Sequence, residues 1–560
     1  IVSEERALLE FNASQRLIES VTGRSTILFR PPYNADSRPQ SLSEVTPLRM
    51  ANALGYLTVT ENIDTEDWDR PGADVILQRT KQLRRNGGNI ILMHDAGGDR
   101  RQTLEALPRI IDYLQGRGDR ISSLAQILDE APEFLMPPVM QNAGSINRLV
   151  SGSGFRILHW LENFLWSFMI AATALIALRT LLIASLAIKE RSRGSQSNAE
   201  LFIPPVSILI AAYNEEKVIG STLRSLLNTR YQGEFEVIVV NDGSDDHTAE
   251  VVGRMAEKDS RIKLLQQSNR GKAMALRRGV EAAAHEILVM LDADTLYQPD
   301  TIERLVQPFR DDRVGAVSGH AKVGNLRSFI ARCQSLEYTC GFNLDRRAYH
   351  RLNCITVVPG AVSALRKAAV HIAGGISTDT LAEDTDLTLS LHREGFRVAY
   401  VPEAVAWTEA PETLGSLSKQ RFRWAFGTLQ CLWKHRDLVF NTKYKALAWF
   451  SLPSIWLFQI LLVAVGPLVD AFLIYSIFFG VGEAIYIYFL VFLLMDLLLA
   501  GLACFLEKEP LSHAWLILPM RFVYRPLLSY VIWKSLLRAA KGAWVSWGKL
   551  ERTASVPNHL

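Results

Sequence analysis

Short apolar runs alternate with amphipathic stretches in two separate parts of the chain. Buried strands in a sheet that is covered by helices give this pattern, because both faces of such a strand are packed. In the middle of the chain the runs lie at residues 206–211, 235–240 and 286–291, and near its start they lie at 26–29 and 89–93. The pattern predicts α/β structure in both parts, with a mostly parallel sheet in the middle one.

Three longer apolar stretches predict membrane helices. Residues 155–190, 452–475 and 484–506 contain few charged residues, and each stretch can cross a bilayer core of about 30 Å. Arg179 interrupts the first stretch. Residues 511–537 are apolar but carry three basic side chains, so they predict either a further span or a helix that lies at the membrane surface.

Basic residues beside the first span predict its orientation. Lys189, Arg191 and Arg193 follow it directly, and such residues favour the cytoplasmic side of a membrane. We therefore expect the middle domain in the cytoplasm and the N-terminal segment on the other side. The predicted segments are an α/β segment at 1–135, a linker rich in Pro, Asn, Gly and Ser at 136–154, a membrane helix at 155–190, the cytoplasmic domain at 200–440, and membrane and interfacial helices at 446–540.

Composition narrows the classes of function. The net charge is only +3, so electrostatics gives no reason to expect a nucleic-acid partner. The five cysteines all lie after residue 332 and show no paired spacing, which argues against a disulfide framework or a zinc knuckle. The chain begins at Ile1 with no initiator Met, and we expect it to be part of a longer polypeptide.

Acidic and polar residues follow the predicted strands of the middle domain. The strings YNEE, NDGS and LDAD come directly after its first, second and third predicted strands. Because the carboxyl ends of parallel strands meet at one edge of a sheet, where open α/β folds bind nucleotides, we expect these side chains to share a crevice. Asp292 and Asp294 would offer carboxylates to Mg²⁺ or Mn²⁺, which neutralise a diphosphate leaving group.

Two later motifs add candidate chemistry. Residues 382–386, AEDTD, precede a helix and supply a carboxylate that could accept the proton of a hydroxyl group, although acids at a helix start also cap the helix. Residues 420–424, QRFRW, lie just before the second apolar stretch. Their guanidinium groups and indole can clamp a pyrophosphate and stack on a sugar, or they can rest on lipid.

In this order, YNEE, NDGS, GKAMAL, DAD, AED and QRFRW resemble the motifs of the processive family 2 glycosyltransferases, which include the cellulose, chitin, hyaluronan and poly-N-acetylglucosamine synthases. The resemblance covers about residues 204–436. It implies a GT-A fold, a UDP-sugar donor, a growing polysaccharide acceptor and a membrane-bound, inverting polymerase that forms β linkages. The sequence departs from several relatives at Ala382, where they have Thr.

The resemblance implies a role for each matching residue. Asp384 would be the base, beside Glu383, and Asp292 and Asp294 would hold the cation. The residues expected around the nucleotide, the diphosphate and the acceptor are Ala212, Tyr213, Glu215, Asp242, Lys272, Asp292, Gln420, Arg421, Arg423 and Trp424.

The sugar is indicated less directly. Residues 334–367 resemble poly-N-acetylglucosamine and chitin-oligomer synthases more than cellulose synthases, which favours UDP-N-acetylglucosamine. A hyaluronan synthase, a glucan synthase and a non-processive lipid-linked sugar transferase are alternatives within the same class. An inactive membrane scaffold of a polysaccharide export complex is the alternative of another class.

Three strings in the N-terminal segment resemble late motifs of the polysaccharide deacetylases related to chitooligosaccharide deacetylase, namely RPPY, DTEDW and LMHD. In that family the Arg and Asp residues orient the catalytic groups, the Trp lines the sugar groove and the His acts as an acid. The matching residues are Arg30, Asp64, Asp67, Trp68 and His94. The family's catalytic Asp and zinc ligands would lie upstream of Ile1, so we expect an incomplete domain without deacetylase activity in this chain.

The two resemblances together imply a location and partners. We expect a multi-pass protein of the bacterial inner membrane, with the transferase domain in the cytoplasm and the deacetylase-like segment outside. The lipid bilayer is an expected partner, and an accessory subunit is a further candidate. A deacetylase joined to a polymerase also favours an N-acetylated product.

Overall fold

The computed structural model describes residues 4–31, 45–139, 141–191, 200–479 and 483–542. The chain divides into two compact units, Ile1–Met169 and Ile170–Leu560. Two predicted features, Pro32-Tyr33 of the RPPY string and the basic residue Arg193, lie outside the described residues.

The first unit has short strands between helices. Its helices are α1 (Glu4–Thr22), α2 (Thr46–Ala53), α3 (Ala73–Arg85), α4 (Arg101–Gly116), α5 (Leu124–Ile127) and α6 (Pro132–Leu135). Its strands form two parallel pairs, β1 (Leu28–Phe29) with β2 (Leu57–Thr58) and β3 (Ile63–Asp64) with β4 (Ile91–Leu92). Helices α3 and α4 share a small apolar core that includes Ile76 and Ile110. The α/β character predicted for this segment is present, with strands shorter than expected.

A single long helix, α7 (Gln141–Arg191), joins the first unit to the second. Most of the predicted loop at residues 136–154 therefore differs from the structure, because it is helical from Gln141 onward. The last proline before the apolar stretch is Pro138, so nothing after it blocks helical hydrogen bonding. The Gly, Ser and Asn residues that suggested a loop lower helix propensity by only about 1 kcal/mol each at most.

An eight-stranded, mostly parallel sheet forms the centre of the second unit. Its order is β7-β6-β5-β8-β11-β10-β12-β9, and the antiparallel β11 interrupts the parallel strands by pairing with β8 and β10. The strands are β5 (Val206–Ala212), β6 (Phe235–Asp242), β7 (Ile262–Gln267), β8 (Ile287–Met290), β9 (Leu296–Tyr297), β10 (Val314–Val323), β11 (Ser363–Arg366) and β12 (Arg397–Thr408).

Helices cover both faces of this sheet. They are α8 (Ile219–Leu227), α9 (Thr248–Ala256), α10 (Lys272–Ala282), α11 (Thr301–Val306), α12 (Phe329–Glu337), α13 (Leu344–Leu352), α14 (Lys367–Ile372), α15 (Glu383–Arg393) and α16 (Leu414–Lys434). Successive residues of a strand face opposite sides. Accordingly, Ile208 and Ile210 join one buried core, whereas Leu209 joins the other. The core that contains Leu209 also contains Ile183 of α7, so the sheet and the membrane-type helices share this core.

The strand before LDAD is the fourth of this sheet in chain order, and the prediction that it is the third is wrong. The strand missed between the second predicted run and LDAD is β7, which pairs only with β6 at one edge of the sheet. Strands β9 to β12, which follow LDAD, were not predicted either. The sequence of β7, IKLLQQ, has polar residues at partly exposed positions. An edge strand therefore lacks the continuous apolar run by which the other strands were predicted.

The C-terminal region is helical. It contains α17 (Leu452–Ser454), α18 (Leu462–Phe479), α19 (Glu483–Glu507), α20 (Ile517–Phe522) and α21 (Tyr524–Ala540). Within the described ranges, three helices are long and apolar enough to cross a membrane: Ser153–Arg191, Leu447–Ala471 and Phe489–Glu507. These correspond to the three predicted spans. Residues 511–537, for which a span or a surface helix was predicted, are divided among a short turn of helix at Leu511–Leu516, α20 and the 17-residue α21, and none of these is among the three.

Candidate active site

One cavity of about 660 Å³ in the second unit brings together all the residues predicted for the transferase site. They arrive from the ends of β5, β6 and β8 and from the first residues or the middle of three helices. The residues are Ala212, Tyr213, Glu215, Asp242, Lys272, Asp292, Asp294, Glu383, Asp384, Gln420, Arg421, Arg423 and Trp424. The crevice expected at the carboxyl edge of the sheet is therefore present.

The loop after β5 is tied to the loop after β6. The backbone N–H of Glu215 donates to the Thr248 hydroxyl at 2.7 Å, and that of Asn214 donates to the Ser244 hydroxyl at 2.9 Å. Asn214 has a φ of 53°, a left-handed conformation that Asn tolerates better than most residues. These contacts hold the YNEE loop beside the NDGS loop at the cavity.

Asp242 anchors the loop that leads into α10. Its carboxylate accepts hydrogen bonds from the Gln267 side chain at 2.7 Å and from the backbone N–H groups of Arg270 and Gly271 at 2.9 and 2.8 Å. The next residue, Gly243, has a φ of +72°, and a Cβ there would lie 2.7 Å from a backbone nitrogen of the same loop. The close approach between the NDGS loop and the loop that leads into α10 therefore requires glycine at position 243.

Lys272, the first residue of α10, links two acidic motifs. Its ammonium group donates to Asp292 at 2.7 Å and lies 3.3 Å from Glu383. Burial lowers the pKa of Lys272, but the charges of Asp292 and Glu383 outweigh burial and raise it. A cationic Lys272 therefore holds a carboxylate from the end of β8 beside a carboxylate from α15.

The Asp292–Asp294 pair offers hard oxygen ligands to a cation. Asp294 is the more buried of the two, with 5% of its surface exposed, and both line the cavity. Within the part of the chain that the structure describes, no group of three His, Cys, Asp or Glu side chains is arranged to hold a metal. Two carboxylates suit Mg²⁺, which commonly binds one or two of them and takes its other ligands from phosphates and water.

Asp384 lies in the first turn of α15. The backbone N–H of Thr385 donates to its carboxylate at 2.7 Å. Burial and the neighbouring Glu383 raise the pKa of Asp384 to about 6, against the opposing effect of Lys272. A carboxyl group with a pKa near neutrality is suited to accept a proton from a substrate and to release it again.

Helix α16 packs directly against the start of α15. A Cβ added to Gly427 would lie 2.8 Å from the Cβ of Ala382, so two small residues permit the contact at the position where the sequence departs from several relatives. Farther along, the carboxylate of Asp386 lies 2.6 Å from His435 Nε2 and accepts a hydrogen bond from Lys434 at 2.8 Å. The base candidate and the QRFRW helix are thus fixed to each other.

The four predicted residues of QRFRW have different environments. Gln420 and Arg421 are buried, whereas Arg423 and Trp424 are partly exposed. The guanidinium group of Arg421 donates to Glu337 at 2.5 Å and lies 4.2 Å from the centre of the Trp424 ring. Its prediction as a ligand of substrate remains untested, but in this structure it is directed at a protein carboxylate.

Several cavity residues were not predicted from the sequence. Glu337, Asp345 and Arg346 come from the helices after β10, and Thr408 and Glu409 lie at the end of β12. The helical residues lie within the stretch 334–367, whose resemblance to poly-N-acetylglucosamine and chitin-oligomer synthases was noted without a role for any single residue. Glu409 could have been found by the rule that identified Asp292, since it directly follows a buried strand.

The cavity extends to the membrane-type helices, where apolar side chains line it. Among these are Phe458 and Val463 of the Leu447–Ala471 helix and Val531 of α21. Arg179, the charge that interrupts the first span, also lines the cavity and donates to Asp345 at 2.6 Å. A charged residue in a membrane segment is costly unless it is paired, and Asp345 supplies that partner.

The first unit contains a separate buried contact among the deacetylase-like residues. His94 Nδ1 lies 2.8 Å from Asp67, and the Thr103 hydroxyl donates to the other oxygen of that carboxylate at 2.8 Å. Burial raises the pKa of Asp67, but the hydrogen bonds from His94 and Thr103 lower it overall. Trp68 is 55% exposed. Asp64 lies in β3, and Arg30 forms its ion pair with Glu61.

Comparison with known proteins agrees with the geometry of the second unit. Residues 204–427 match the family model described as glycosyltransferase like family 2. Poly-beta-1,6-N-acetyl-D-glucosamine synthases of Staphylococcus aureus are 35% identical over 239 residues, which cover 42% of this chain and 58% of the relative. The synthase of Staphylococcus epidermidis is 34% identical over 249 residues, covering 44% of this chain and 60% of the relative.

The matched region thus spans somewhat more than half the length of these relatives. Among solved structures, the mannosyltransferase PcManGT from Pyrobaculum calidifontis, in complex with GDP-Man and Mn²⁺, aligns with a TM-score of 0.49 and 22% identity over 67% of this chain and 98% of its own. The sequence matches thus show that residues 204–427 are similar to family 2 glycosyltransferase domains.

Proposed function

We propose that this chain is a membrane-bound, inverting and processive glycosyltransferase, which polymerises UDP-N-acetylglucosamine into a β-linked polysaccharide on the cytoplasmic face of a bacterial membrane. The observation that carries the proposal is the single cavity shared by Asp292, Asp294, Asp384 and Trp424. The name of the staphylococcal relatives supports N-acetylglucosamine as the sugar.

The donor would bind at the carboxyl edge of the sheet. Tyr213, Glu215 and Asp242 line the part of the cavity formed by the ends of β5 and β6, where nucleotides bind in open α/β folds. Asp292 and Asp294 would hold Mg²⁺ or Mn²⁺, whose charge stabilises the departing diphosphate. These residues would hold the UDP group at this edge of the sheet.

The acceptor would bind against Trp424. The apolar face of a sugar ring stacks on an indole, which fixes the acceptor hydroxyl relative to the donor. Asp384 would take the proton of that hydroxyl while its oxygen forms a bond to the anomeric carbon of the donor. The bond from that carbon to UDP breaks in the same step, and UDP leaves with its electron pair. Attack opposite the leaving group converts an α-linked donor into a β linkage.

The lengthened chain would leave along the part of the cavity that reaches the membrane-type helices. Aromatic and amide side chains there, including Phe458 and Gln459, can contact sugar rings and hydroxyl groups. A polymer that stays in this passage between additions would make the enzyme processive, because the new end is already beside the next donor.

Incorporation of radiolabelled UDP sugars by isolated membranes tests the proposal. We expect label from UDP-N-acetylglucosamine in long polymer, and Asp294→Asn or Asp384→Asn should abolish it while the protein remains folded. Asp312→Asn is a matched control, because that side chain is 97% exposed and lies outside the cavity. Label in lipid alone would contradict polymerisation, and label only from another UDP sugar would contradict N-acetylglucosamine as the sugar. Full activity in Asp384→Asn would contradict the role of Asp384 as the base. Digestion of the product with linkage-specific hydrolases would assign the linkage.

We further propose that residues 1–135 of the first unit are the later part of a deacetylase-like domain lying outside the cytoplasm. The contact between His94 and the buried Asp67 supports this, since a carboxylate that orients a histidine is a usual arrangement in acid catalysis. The exposed Trp68 would contact an N-acetylated product. Oxidative footprinting should show protection of Trp68 by N-acetylglucosamine oligomers, and an unchanged oxidation rate would contradict a sugar groove there.

A further inference from the structure

Arg421 occupies a buried position between three helices. Its side chain is 6% exposed, and it lies on α16 between Glu337 at the end of α12 and Tyr524 at the start of α21. The guanidinium group is 2.5 Å from the Glu337 carboxylate and 3.2 Å from the Tyr524 hydroxyl. That hydroxyl donates to the same carboxylate oxygen at 2.5 Å. The three side chains form a closed set of contacts, which we call the Arg421 triad.

The Arg421 triad lies directly against Trp424. The centre of the guanidinium group is 4.2 Å from the centre of the indole ring, a distance at which a cation is attracted to an aromatic face. The rings of Phe342 and Tyr338 contact the same indole at centroid distances of 5.9 and 6.5 Å. The indole is therefore packed on its protein side while it remains partly exposed at the cavity.

Each member of the triad is needed to keep the others satisfied. A buried guanidinium group without its carboxylate would be left as an uncompensated charge, and the Glu337 carboxylate accepts from both other members. Tyr524 is among the largest fully buried side chains of the described chain. Its helix, α21, packs on α16, so a residue far along the sequence sets the environment of the QRFRW motif.

We propose that Arg421, Glu337 and Tyr524 are positioning residues, which hold the Trp424 indole at the angle that an acceptor sugar needs. In this assignment Arg421, the first arginine of QRFRW, supports the Trp424 indole from the protein side. Of the two arginines only Arg423 faces substrate, together with Trp424. The assignment rests on the proposed function for the meaning of Trp424 as an acceptor platform, but not for the contacts themselves.

Two readouts on the 560-residue chain in detergent test this inference. The first is the oxidation rate of Trp424 in hydroxyl-radical footprinting, which needs no activity. The second is the KM for added N-acetylglucosamine oligomers compared with the KM for UDP-N-acetylglucosamine. The variants are Tyr524→Phe, which removes one hydroxyl, and Arg421→Lys, which keeps the charge but loses the flat stack on the indole. Tyr530→Phe on the same helix is the control, because Tyr530 is 56% exposed and does not line the cavity.

We expect Trp424 to be oxidised at least about twice as fast in both triad variants as in the unchanged protein. In Tyr530→Phe its oxidation rate should equal that of the unchanged protein. Loss of a hydrogen bond to a charged group should raise the acceptor KM by roughly fivefold or more, with the donor KM within about twofold. In a Trp424→Ala background, Tyr524→Phe should add little to the acceptor KM, because the residue through which it acts is gone.

Equal Trp424 oxidation in the unchanged protein and in both triad variants would overturn the inference, even if all of them make polymer. An acceptor KM that rises equally in both backgrounds would also overturn it. If Trp424 oxidation responds as expected but the unchanged protein makes no polymer, the proposed function fails and the positioning contact stands.

Discussion

A single methyl group at Gly360 should weaken the ion pair between Lys272 and Asp292. A Cβ at this position would lie 2.9 Å from the Lys272 nitrogen and 3.3 Å from Asp292 Oδ1. An ordinary contact begins near 3.4 Å, so the ammonium group must retreat by about 0.5 Å. It is the mobile end of a flexible side chain, and we therefore expect Gly360→Ala to fold.

The cost follows from the lengthened ion pair. Moving the two charges from 2.7 Å to about 3.2 Å, at an effective dielectric constant of about 20, weakens their attraction by about 1 kcal/mol. Both side chains are about a quarter to a third exposed, so solvent screening makes this an upper figure. A loss of about 1 kcal/mol lowers the unfolding temperature of a domain of this size by roughly 2–4 °C.

The assay is thermal unfolding in detergent at one scan rate, for Gly360→Ala in the unchanged protein and in a Lys272→Ala background. The apparent Tm should fall in the first case and stay within about 1 °C in the second, since the methyl group then has room. Gly253→Ala is the matched control. It lies within α9 with no atom close to the added Cβ, and replacing a helical glycine should stabilise the protein by about 1 kcal/mol.

The reasoning is refuted if Gly360→Ala lowers the apparent Tm equally in both backgrounds, because the cost would then not pass through Lys272. It is also refuted if Gly360→Ala raises the Tm as the control does, because the methyl group would then meet no resistance.

Three further predictions concern the acidic residues of the domain. Sugar incorporation should fall as the pH drops through about 6, because protonated Asp384 cannot accept a proton, and a flat pH–rate profile between about pH 7 and 5 would contradict this role. Chelation by EDTA should abolish incorporation and added Mg²⁺ or Mn²⁺ should restore it, whereas full activity in chelated membranes would argue against a cation at Asp292 and Asp294. Burial raises the pKa of Asp386, but His435 and Lys434 outweigh burial and lower it. The ionised Asp386 therefore contributes fully to stability above about pH 4, near the pKa of an unfolded Asp. This contribution is lost as the pH falls through the lowered pKa that Asp386 has in the folded protein. Unfolding temperatures measured against pH should show this loss in the unchanged protein and not in Asp386→Asn.

Three of the eight strands of the transferase domain could be predicted because each of these three is apolar over its own length. The predicted run at 206–211 is observed as Val206–Ala212, and that at 235–240 as Phe235–Asp242. The strand Ile262–Gln267 was missed because one edge of it is solvated, which gives it a mixed sequence. The interior strands β10, β11 and β12 were not predicted either, because polar, glycine or proline residues interrupt their apolar runs. Local patterns thus reveal only those strands that are apolar without interruption.

The residues of the candidate site were predicted from the motifs, but their partners were not. The motifs selected Asp292, Asp384 and Trp424, and all three line one cavity. They gave no sign that Glu337 and Tyr524 would flank Arg421, because these residues are separated from it by 84 and 103 positions in the chain. A pairwise contact at that separation leaves no periodic trace in either segment.

What the sequence by itself determined is local: the apolar stretches long enough to cross a membrane, the buried strands, and the acids that end them, since hydrophobic periodicity and strand direction are properties of neighbouring residues. Only the tertiary structure decided which charged side chains pair with one another. Arg179 meets Asp345, and Arg421 meets Glu337, because burying a charge is costly and packing must supply each one with a partner. The partner that is reached depends on how distant helices cross, and a single segment of sequence does not encode that.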